Sequence, residues 1–410
     1  MVLQNRIKML RVLSWALYDL ANQFFVLNIV SLYFVRWIVI NKGVPEVFYS
    51  ISFGLSMFLV AVFAPFLGAV SDTYRKHRMF LVYLTIISVV FTILLGFTNS
   101  VWIALIYFVI ANFGCQEAVI FYNALMAGIT TREKSGLVSG IGKMFGYSGA
   151  VIALFLMRHI VVEKGYHTVF IVTGILFFVF ALPCMIFVKE KHISCAVSKA
   201  GRLKGVFESL KPLLIASKDN APLMDFFKAS FFGLGVINVV ILFMSVYISR
   251  VFGLKDTQII NFILLAAFFA IMGSITSGII SDYLGHGFVL LCAFIMWGIS
   301  LMCGALMSNS SFYWAIGMLS GISLGSVWVT SRAFIISMVP KDNIAETFGL
   351  FNLVSYAAGI IGPLWWGVIL FCLKPLGQLS YRIAAFSLVV FLIIAAVFLL
   401  RVINKDNKVI

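Results

Sequence analysis

Long apolar runs separated by short polar segments recur along the whole chain. Because the runs are continuous rather than alternating and about 20 residues or longer, they favour helices that cross a bilayer over the strands of a β-barrel. The pattern predicts an all-α integral membrane protein with twelve transmembrane helices. These helices lie near 14–40, 48–71, 79–97, 101–128, 136–158, 168–188, 223–249, 258–281, 287–307, 311–338, 347–372 and 381–401.

Composition agrees with a membrane protein, since 62% of the residues are hydrophobic and only 11% are charged. A soluble domain of this size carries about a quarter charged residues on its water-facing surface. The outside of this fold must therefore be apolar as well, and its solvent is lipid. In lipid the backbone polar groups have to be satisfied within the spans, which again favours helices.

Lysine and arginine residues are distributed unevenly between the two sides of the predicted spans. With the N-terminus inside, the inner segments hold 19 of them and the outer segments hold 6. This imbalance predicts that both termini are cytoplasmic. We expect the cell (inner) membrane, and an organelle membrane fits the same pattern. The net charge of +15 is explained by this orientation, so no nucleic-acid partner is expected.

An internal repeat divides the spans into six and six. Gly68–Arg78 reads GAVSDTYRKHR and Gly278–Gly287 reads GIISDYLGHG, so a Gly-x-x-x-Asp unit recurs after 210 residues. We predict two six-helix halves, residues 1–188 and 223–410, joined by a cytoplasmic linker, 189–222. Apolar residues at helical spacing within 203–214 indicate either an interfacial helix or a plain solvated linker. We expect a monomer.

The two repeated loops resemble the loop signature of major facilitator transporters. Glycine permits close approach of helices, aspartate caps or pairs with a neighbouring helix end, and the basic side chains form breakable ion pairs. These loops are predicted to gate the conformational change. The predicted gating residues are Gly68, Asp72, Arg75, Arg78, Gly278 and Asp282.

Four of the charged residues within predicted spans, Asp19, Glu117, Lys143 and Arg332, are candidates for function, because a charge inside a span costs about 2.5–3.5 kcal/mol on insertion scales. Asp19 lies at a depth comparable to Lys143 and Arg332, so it pairs with one of the two. Glu117, near the middle of the fourth span, lines either the edge of a cavity or a contact with a neighbouring helix. The alternative is that these charges only hold helices together.

No metal, cofactor or catalytic site is predicted. All five histidines fall in loops or at span ends, and no His/Asp or Ser/His pairing marks an enzyme site. A metal site in a translocation path would need a cluster of imidazoles or carboxylates. The chemistry of the spans is therefore that of binding and not of catalysis.

Several segments resemble one branch of the major facilitator superfamily, the autophagy-related vacuolar amino-acid effluxers and their bacterial relatives. The segments are SWALYDLANQFF from Ser14, FYNALM from Phe121, SGIGKMFGYSGA from Ser139, and the span 10 and 11 block from Ser331 to Pro363. The resemblance implies that spans 1, 4, 7 and 10 line a central cavity. It also implies that an amino acid or similar solute binds among Asn22, Gln23, Glu117, Asn123 and Asn238.

The resulting hypothesis is a secondary active transporter that moves a small polar metabolite by alternating access between inward-open and outward-open states. If transport is coupled to protons, Asp19 or Glu117 carries the proton. Two alternatives stay open. One is an exporter of a drug, siderophore or other amphiphile, and the other is a transport-dead membrane receptor or scaffold. The expected partners are a small-molecule substrate, the lipid bilayer and protons.

Overall fold

The computed structural model describes residues 2–44, 46–188, 221–254, 256–307, 313–340 and 343–406. Nearly all of these residues are helical, and no strand occurs among them. The predicted interfacial helix within 203–214 lies outside the described residues. The described helices coincide with the apolar runs, because the backbone of an apolar run in lipid satisfies its hydrogen bonds only by forming a helix.

The first predicted span is a helix of mixed type. Helix α1 (Val2–Phe25) continues as a π-helical segment (Val26–Leu32), a short helix α2 (Tyr33–Arg36) and a second π-helical segment (Trp37–Asn41). The Tyr33 N–H donates to the Asn28 carbonyl, five residues back, which is the π-helical spacing. The Asn28 side chain donates to Thr173 Oγ1 at 3.0 Å. This bond to α6 holds the widened turn.

The N-terminal half continues through four longer helices, α3 (Glu46–Tyr74), α4 (His77–Leu95), α5 (Val101–Ile129) and α6 (Ser135–Phe187). Helix α6 has 53 residues, or about 80 Å at 1.5 Å per residue, which is more than twice the hydrocarbon thickness of a bilayer. It bends at Gly165, whose φ of 76° is non-helical. Gly165 lies between the predicted spans 136–158 and 168–188, so α6 contains both.

The C-terminal half contains six helices with short connections: α7 (Ala221–Phe252), α8 (Asp256–Leu284), α9 (His286–Leu306), α10 (Tyr313–Met338), α11 (Ile344–Cys372) and α12 (Gln378–Asp406). Within the described residues, ten helices are long and apolar enough to cross a membrane. That number takes α6 as one helix and omits the mixed first span. The predicted number of twelve crossings stays a prediction.

The described residues fall into two compact units. Unit 1 consists of the described residues within Met1–Glu208 and Val339–Leu350. Unit 2 consists of the described residues within Ser209–Met338 and Phe351–Ile410. In each unit small residues let helices approach closely. Gly142, Gly146 and Gly149 of α6 lie against α1, and Gly321 and Gly325 of α10 lie against α8. The predicted division at 188 and 223 stays a prediction.

Large apolar side chains cover the outside of the helices. Phe58, Phe155, Phe268 and Phe371 are each more than half exposed. In water, exposed apolar area on this scale would drive aggregation, whereas in a bilayer it contacts lipid tails. The buried polar side chains are therefore the exceptions in this molecule, and they mark the candidate site.

Candidate functional site

An ion pair lies inside unit 1 between α1 and α6. Asp19 is 3% exposed, and the Lys143 ammonium is 3.3 Å from its Oδ1. Gly146 makes room for the carboxylate, since an added Cβ there would lie 3.3 Å from the Asp19 Cγ. The sequence left Lys143 and Arg332 open as partners, and the structure brings Lys143 to Asp19. Arg332 is buried in α10 of unit 2.

Aromatic rings beside this pair hold α1 against α4 and α5. The Trp15 indole donates to the Tyr122 carbonyl at 2.8 Å, and the two rings stack at 4.5 Å. Tyr18 stacks on the other side of Tyr122 at 5.0 Å and shares a 2.6 Å hydrogen bond with Thr85. Sequence reasoning treated these residues only as parts of a motif. The sequence did contain a pattern that groups them, because the spacing of Trp15, Tyr18 and Asp19 places all three on one face of a helix.

The predicted substrate amides are placed differently from one another. Asn22 is half-buried, and its Oδ1 accepts a hydrogen bond from the Cys115 thiol at 2.8 Å, while Gln23 is half-buried on the same helix. Asn123 is buried in α5. Asn238, in unit 2, donates to the Leu234 carbonyl of its own helix at 2.9 Å. Its amide nitrogen is thus engaged with the backbone.

Glu117 is fully buried in α5. Among the residues that the structure describes, neither of its carboxyl oxygens has a hydrogen-bond partner. Residues one turn away on the same face contact two helices. Phe113 packs on Phe63 of α3, and Phe121 packs on Phe80 of α4. Glu117 therefore lies on the face of α5 that contacts α3 and α4, which was the second of the two alternatives that the sequence left open.

Asp72, in the first Gly-x-x-x-Asp loop, caps the N-terminus of α11. Its carboxylate accepts from the Glu346 N–H at 2.7 Å and from the Ala345 N–H at 3.2 Å. His77 Nε2 is 2.7 Å from the same carboxylate. Gly68 permits the approach, because a Cβ there would come within 2.8 Å of the Ala345 carbonyl. A carboxylate at a helix N-terminus is stabilised by the unpaired N–H groups and by the helix dipole.

The remaining gating residues surround these two loops. Arg75 has a left-handed φ of 51°, which turns the chain after α3, and the Arg78 guanidinium donates to the Met185 carbonyl. In the second loop Gly278 is buried and Asp282 is half-buried. There His286 bonds Ser281 at 3.1 Å. Histidine thus follows aspartate at position +5 in the first copy and at +4 in the second, and it contacts the aspartate in the first copy and Ser281 in the second.

Comparison with known proteins identifies the type of fold. A bacterial homologue of the iron transporter ferroportin, solved in an outward-facing state, superposes with a TM-score of 0.74 at 15% identity. The superposition covers 97% of this chain and 99% of that one. At this identity the likeness shows the fold alone.

Sequence relatives extend over most of the chain. An uncharacterized protein of Aquifex aeolicus is 27% identical over 91% of this chain and 93% of its own. The uncharacterized MFS-type transporter YxiO of Bacillus subtilis is 24% identical over 94% and 93%. The multi-drug resistance efflux pump PmrA of Streptococcus pneumoniae is 24% identical over 79% and 80%.

The family profile described as Major Facilitator Superfamily matches residues 20–363 and 229–409. It covers Asn22 and Gln23 of α1, the polar residues of α5 and α6 and the capped start of α11, and it begins one residue after Asp19. The more specific resemblance to vacuolar amino-acid effluxers stays an interpretation of the sequence motifs. Taken with the apolar helices, the profile match makes this chain a multi-pass membrane transport protein and a member of the Major Facilitator Superfamily.

Proposed function

We propose that the chain is a secondary active transporter that moves a small polar metabolite, with amino acids as the first class to test. The observation that carries this proposal is the buried Asp19–Lys143 pair. Removing two charges from water is costly, and well-packed apolar residues stabilise an interior at least as well. A pair kept between two membrane helices therefore points to a binding or coupling role.

The chemistry of the pair suits a zwitterion. Its carboxylate can accept hydrogen bonds from a substrate ammonium, and its ammonium can donate to a substrate carboxylate. The Lys143 side chain keeps 18% of its surface exposed, whereas Asp19 keeps 3%. An incoming anion thus meets Lys143 first. Asn22, one turn along α1 from Asp19, adds an amide to the same face of the helix.

Proton coupling is the second part of the proposal. Protonation of Asp19 would neutralise the carboxylate and release Lys143 for the substrate. Glu117 is a second candidate, because a buried carboxylate without a partner is costly when ionised. A group that binds a proton in one conformation and releases it in the other links proton movement to the conformational change.

The Asp72 cap is proposed to control the conformational change. Helix α11 begins beside Asp72 in unit 1 and continues from Phe351 in unit 2. Loss of the cap would leave the first N–H groups of α11 without their acceptor. We infer that release and reformation of this cap accompany alternation between the two access states.

Export of an amphiphile is the second candidate function. It is favoured by the similarity to an efflux pump whose name describes multi-drug resistance. The two candidates differ in the substrate that a reconstituted protein accumulates. Uptake of a radiolabelled metabolite panel into proteoliposomes, with and without a pH gradient, tests the first. Accumulation of amphiphilic dyes but of no amino acid would favour the second.

The proposed setting is a monomer in the cell membrane, with both termini in the cytoplasm. The basis is the distribution of lysine and arginine between the two sides. Reporter fusions at each terminus and within 189–222 check the orientation. A periplasmic or extracellular signal from any of the three positions would contradict it.

A further inference from the structure

An apolar cavity lies within unit 2. It is bordered by helices α7 to α12, and nearly all of its accessible wall is apolar. The residues that line the cavity include Phe243, Tyr247, Gly304, Ile316, Trp366 and Leu388.

Two hydroxyl groups at this cavity, those of Tyr247 and Ser300, are already bonded within the protein. The Tyr247 hydroxyl donates to the Gly304 carbonyl at 2.7 Å. The Ser300 hydroxyl is 2.6 Å from that of Ser320 and 3.3 Å from the Ile316 carbonyl. A polar ligand would lose its hydrogen bonds to water and gain none here. The residues that line the cavity therefore favour an apolar group of a ligand.

The cavity lies toward one end of its helices. It borders the last turns of α7 and α9, at Tyr247 and Gly304, and the first turns of α10, at Tyr313. On the predicted orientation this is the outer end. An alkyl chain in the cavity would therefore have a polar head group close to the membrane surface, as in an amphiphile.

The equivalent region of unit 1 is filled. Trp37 precedes Tyr247 by 210 residues, the separation of the two Gly-x-x-x-Asp loops. Around Trp37 the rings of Phe34, Tyr49, Phe108 and Phe170 pack with centroids 5.0 to 6.3 Å apart. Unit 2 has small residues at its cavity, among them Gly304 and Ala385.

We propose that this cavity binds the hydrocarbon chain of a single-chain amphiphile. An empty apolar space forfeits van der Waals contacts on all its walls, and an alkyl chain restores them without needing a polar partner. The site is separate from the proposed polar site in unit 1. Its test measures binding, so a failure here leaves the proposed transport of a polar metabolite standing.

The probe is a ten-carbon alcohol that carries a photoreactive diazirine at the end of its chain, added to the protein in nanodiscs. Illumination followed by mass spectrometry should place the label on cavity-lining residues of α7 and α9, and unlabelled decanol should compete. Gly304→Leu should reduce labelling about tenfold, because the added side chain occupies the space of the alkyl chain. A Cβ at Gly304 meets its nearest neighbour only at 3.8 Å.

Gly298→Leu is the matched control on the same helix, since Gly298 lies away from the cavity and its Cβ meets only Leu392 at 3.9 Å. It should leave labelling unchanged. Ala385→Leu repeats the test if Gly304→Leu does not fold. Equal labelling of the cavity-filling and control variants would overturn the proposal. Competition by nanodisc phospholipid instead of decanol would assign the cavity to a membrane lipid and would overturn it too.

Discussion

Trp37 in unit 1 and Tyr247 in unit 2 stand at equivalent positions of the repeat, yet their surroundings differ. Trp37 lies among packed aromatic rings, whereas Tyr247 borders an open apolar space. The polar interiors differ as well. Unit 1 buries the Asp19–Lys143 pair and Glu117. Unit 2 buries Arg332 and Asp225, and it contains the apolar cavity. The repeat has thus kept its helices while the side chains inside them have diverged.

This difference suggests two kinds of binding chemistry within one chain. A buried charge pair is suited to recognising or exchanging ions, and an apolar cavity is suited to holding a hydrocarbon group. If the contrast is functional, substitutions in unit 1 and unit 2 should impair different measurable properties. The predictions below run from the largest expected effect to the smallest.

Lys143→Met should have the largest effect, because it removes the ammonium that contacts the buried Asp19 carboxylate. Breaking a buried pair is strongly destabilising, and methionine can neither bind an anion nor take part in proton coupling, so the transport rate should fall about a hundredfold. The measurement is the initial uptake rate in proteoliposomes. Lys164→Met, at an exposed position of the same helix, should be unaffected. A Lys143→Met rate within twofold of wild type would contradict the account.

Phe108→Ala should open a space in unit 1 that resembles the cavity of unit 2. Phe108 is fully buried and contacts Phe34 and Tyr49. Removing such a ring typically costs about 3–5 kcal/mol, so the thermal unfolding temperature should fall clearly. Leu388→Ala, beside the existing cavity, should lower it less. If both variants lose the same stability, the contrast in packing between the units is wrong.

Glu117→Gln keeps the shape of the side chain and removes its ability to bind and release a proton. If coupling resides at Glu117, accumulation driven by a pH gradient should fall about tenfold while substrate exchange continues. The two assays use the same proteoliposomes with different gradients. Glu133→Gln, at an exposed position after α5, is the matched control. Full accumulation by Glu117→Gln would assign the coupling role to Asp19.

Asp72→Asn should have the smallest effect of these variants. It should leave substrate affinity nearly unchanged and moderately change the rate of interconversion between access states. Loss of a capping carboxylate costs about 0.5–2 kcal/mol, so interconversion between access states should change several-fold while substrate affinity stays within twofold. Exchange kinetics and a binding isotherm measure the two quantities. His77→Gln, which retains a hydrogen-bonding side chain beside Asp72, should change the rate less. An affinity loss with normal exchange would contradict the proposed control of the conformational change.

Much of the fold was predictable, because hydropathy depends only on local sequence. The described helices begin and end near the predicted spans, and the bend at Gly165 falls in a predicted connection. The depth of Asp19 indicated Lys143 and Arg332 as partners, and the contact with Lys143 depends on the rotation of α1 and α6, which depth does not give. Which neighbouring helices contact the Glu117 side of α5 depends on the packing of the whole unit. The spacing of polar and apolar residues along α5 alone does not reveal it.

Two features of the structure could not be predicted from the local sequence. The π-helical segment that contains Asn28 coincides with a hydrogen bond from its side chain to Thr173, 145 residues away. The cavity in unit 2 is invisible to hydropathy, because the residues around it are as apolar as those in a filled core. Volume is a property of six helices together, and no single helix encodes it.

The central claim is that this chain accumulates a small polar substrate by means of the charges buried in unit 1. The most direct test is uptake of a radiolabelled amino-acid panel into proteoliposomes containing wild type or Lys143→Met, with and without an imposed pH gradient. The account predicts that at least one panel member is concentrated only in wild type and only with the gradient. Equal uptake by both proteins, or no gradient-dependent uptake of any member, would contradict it.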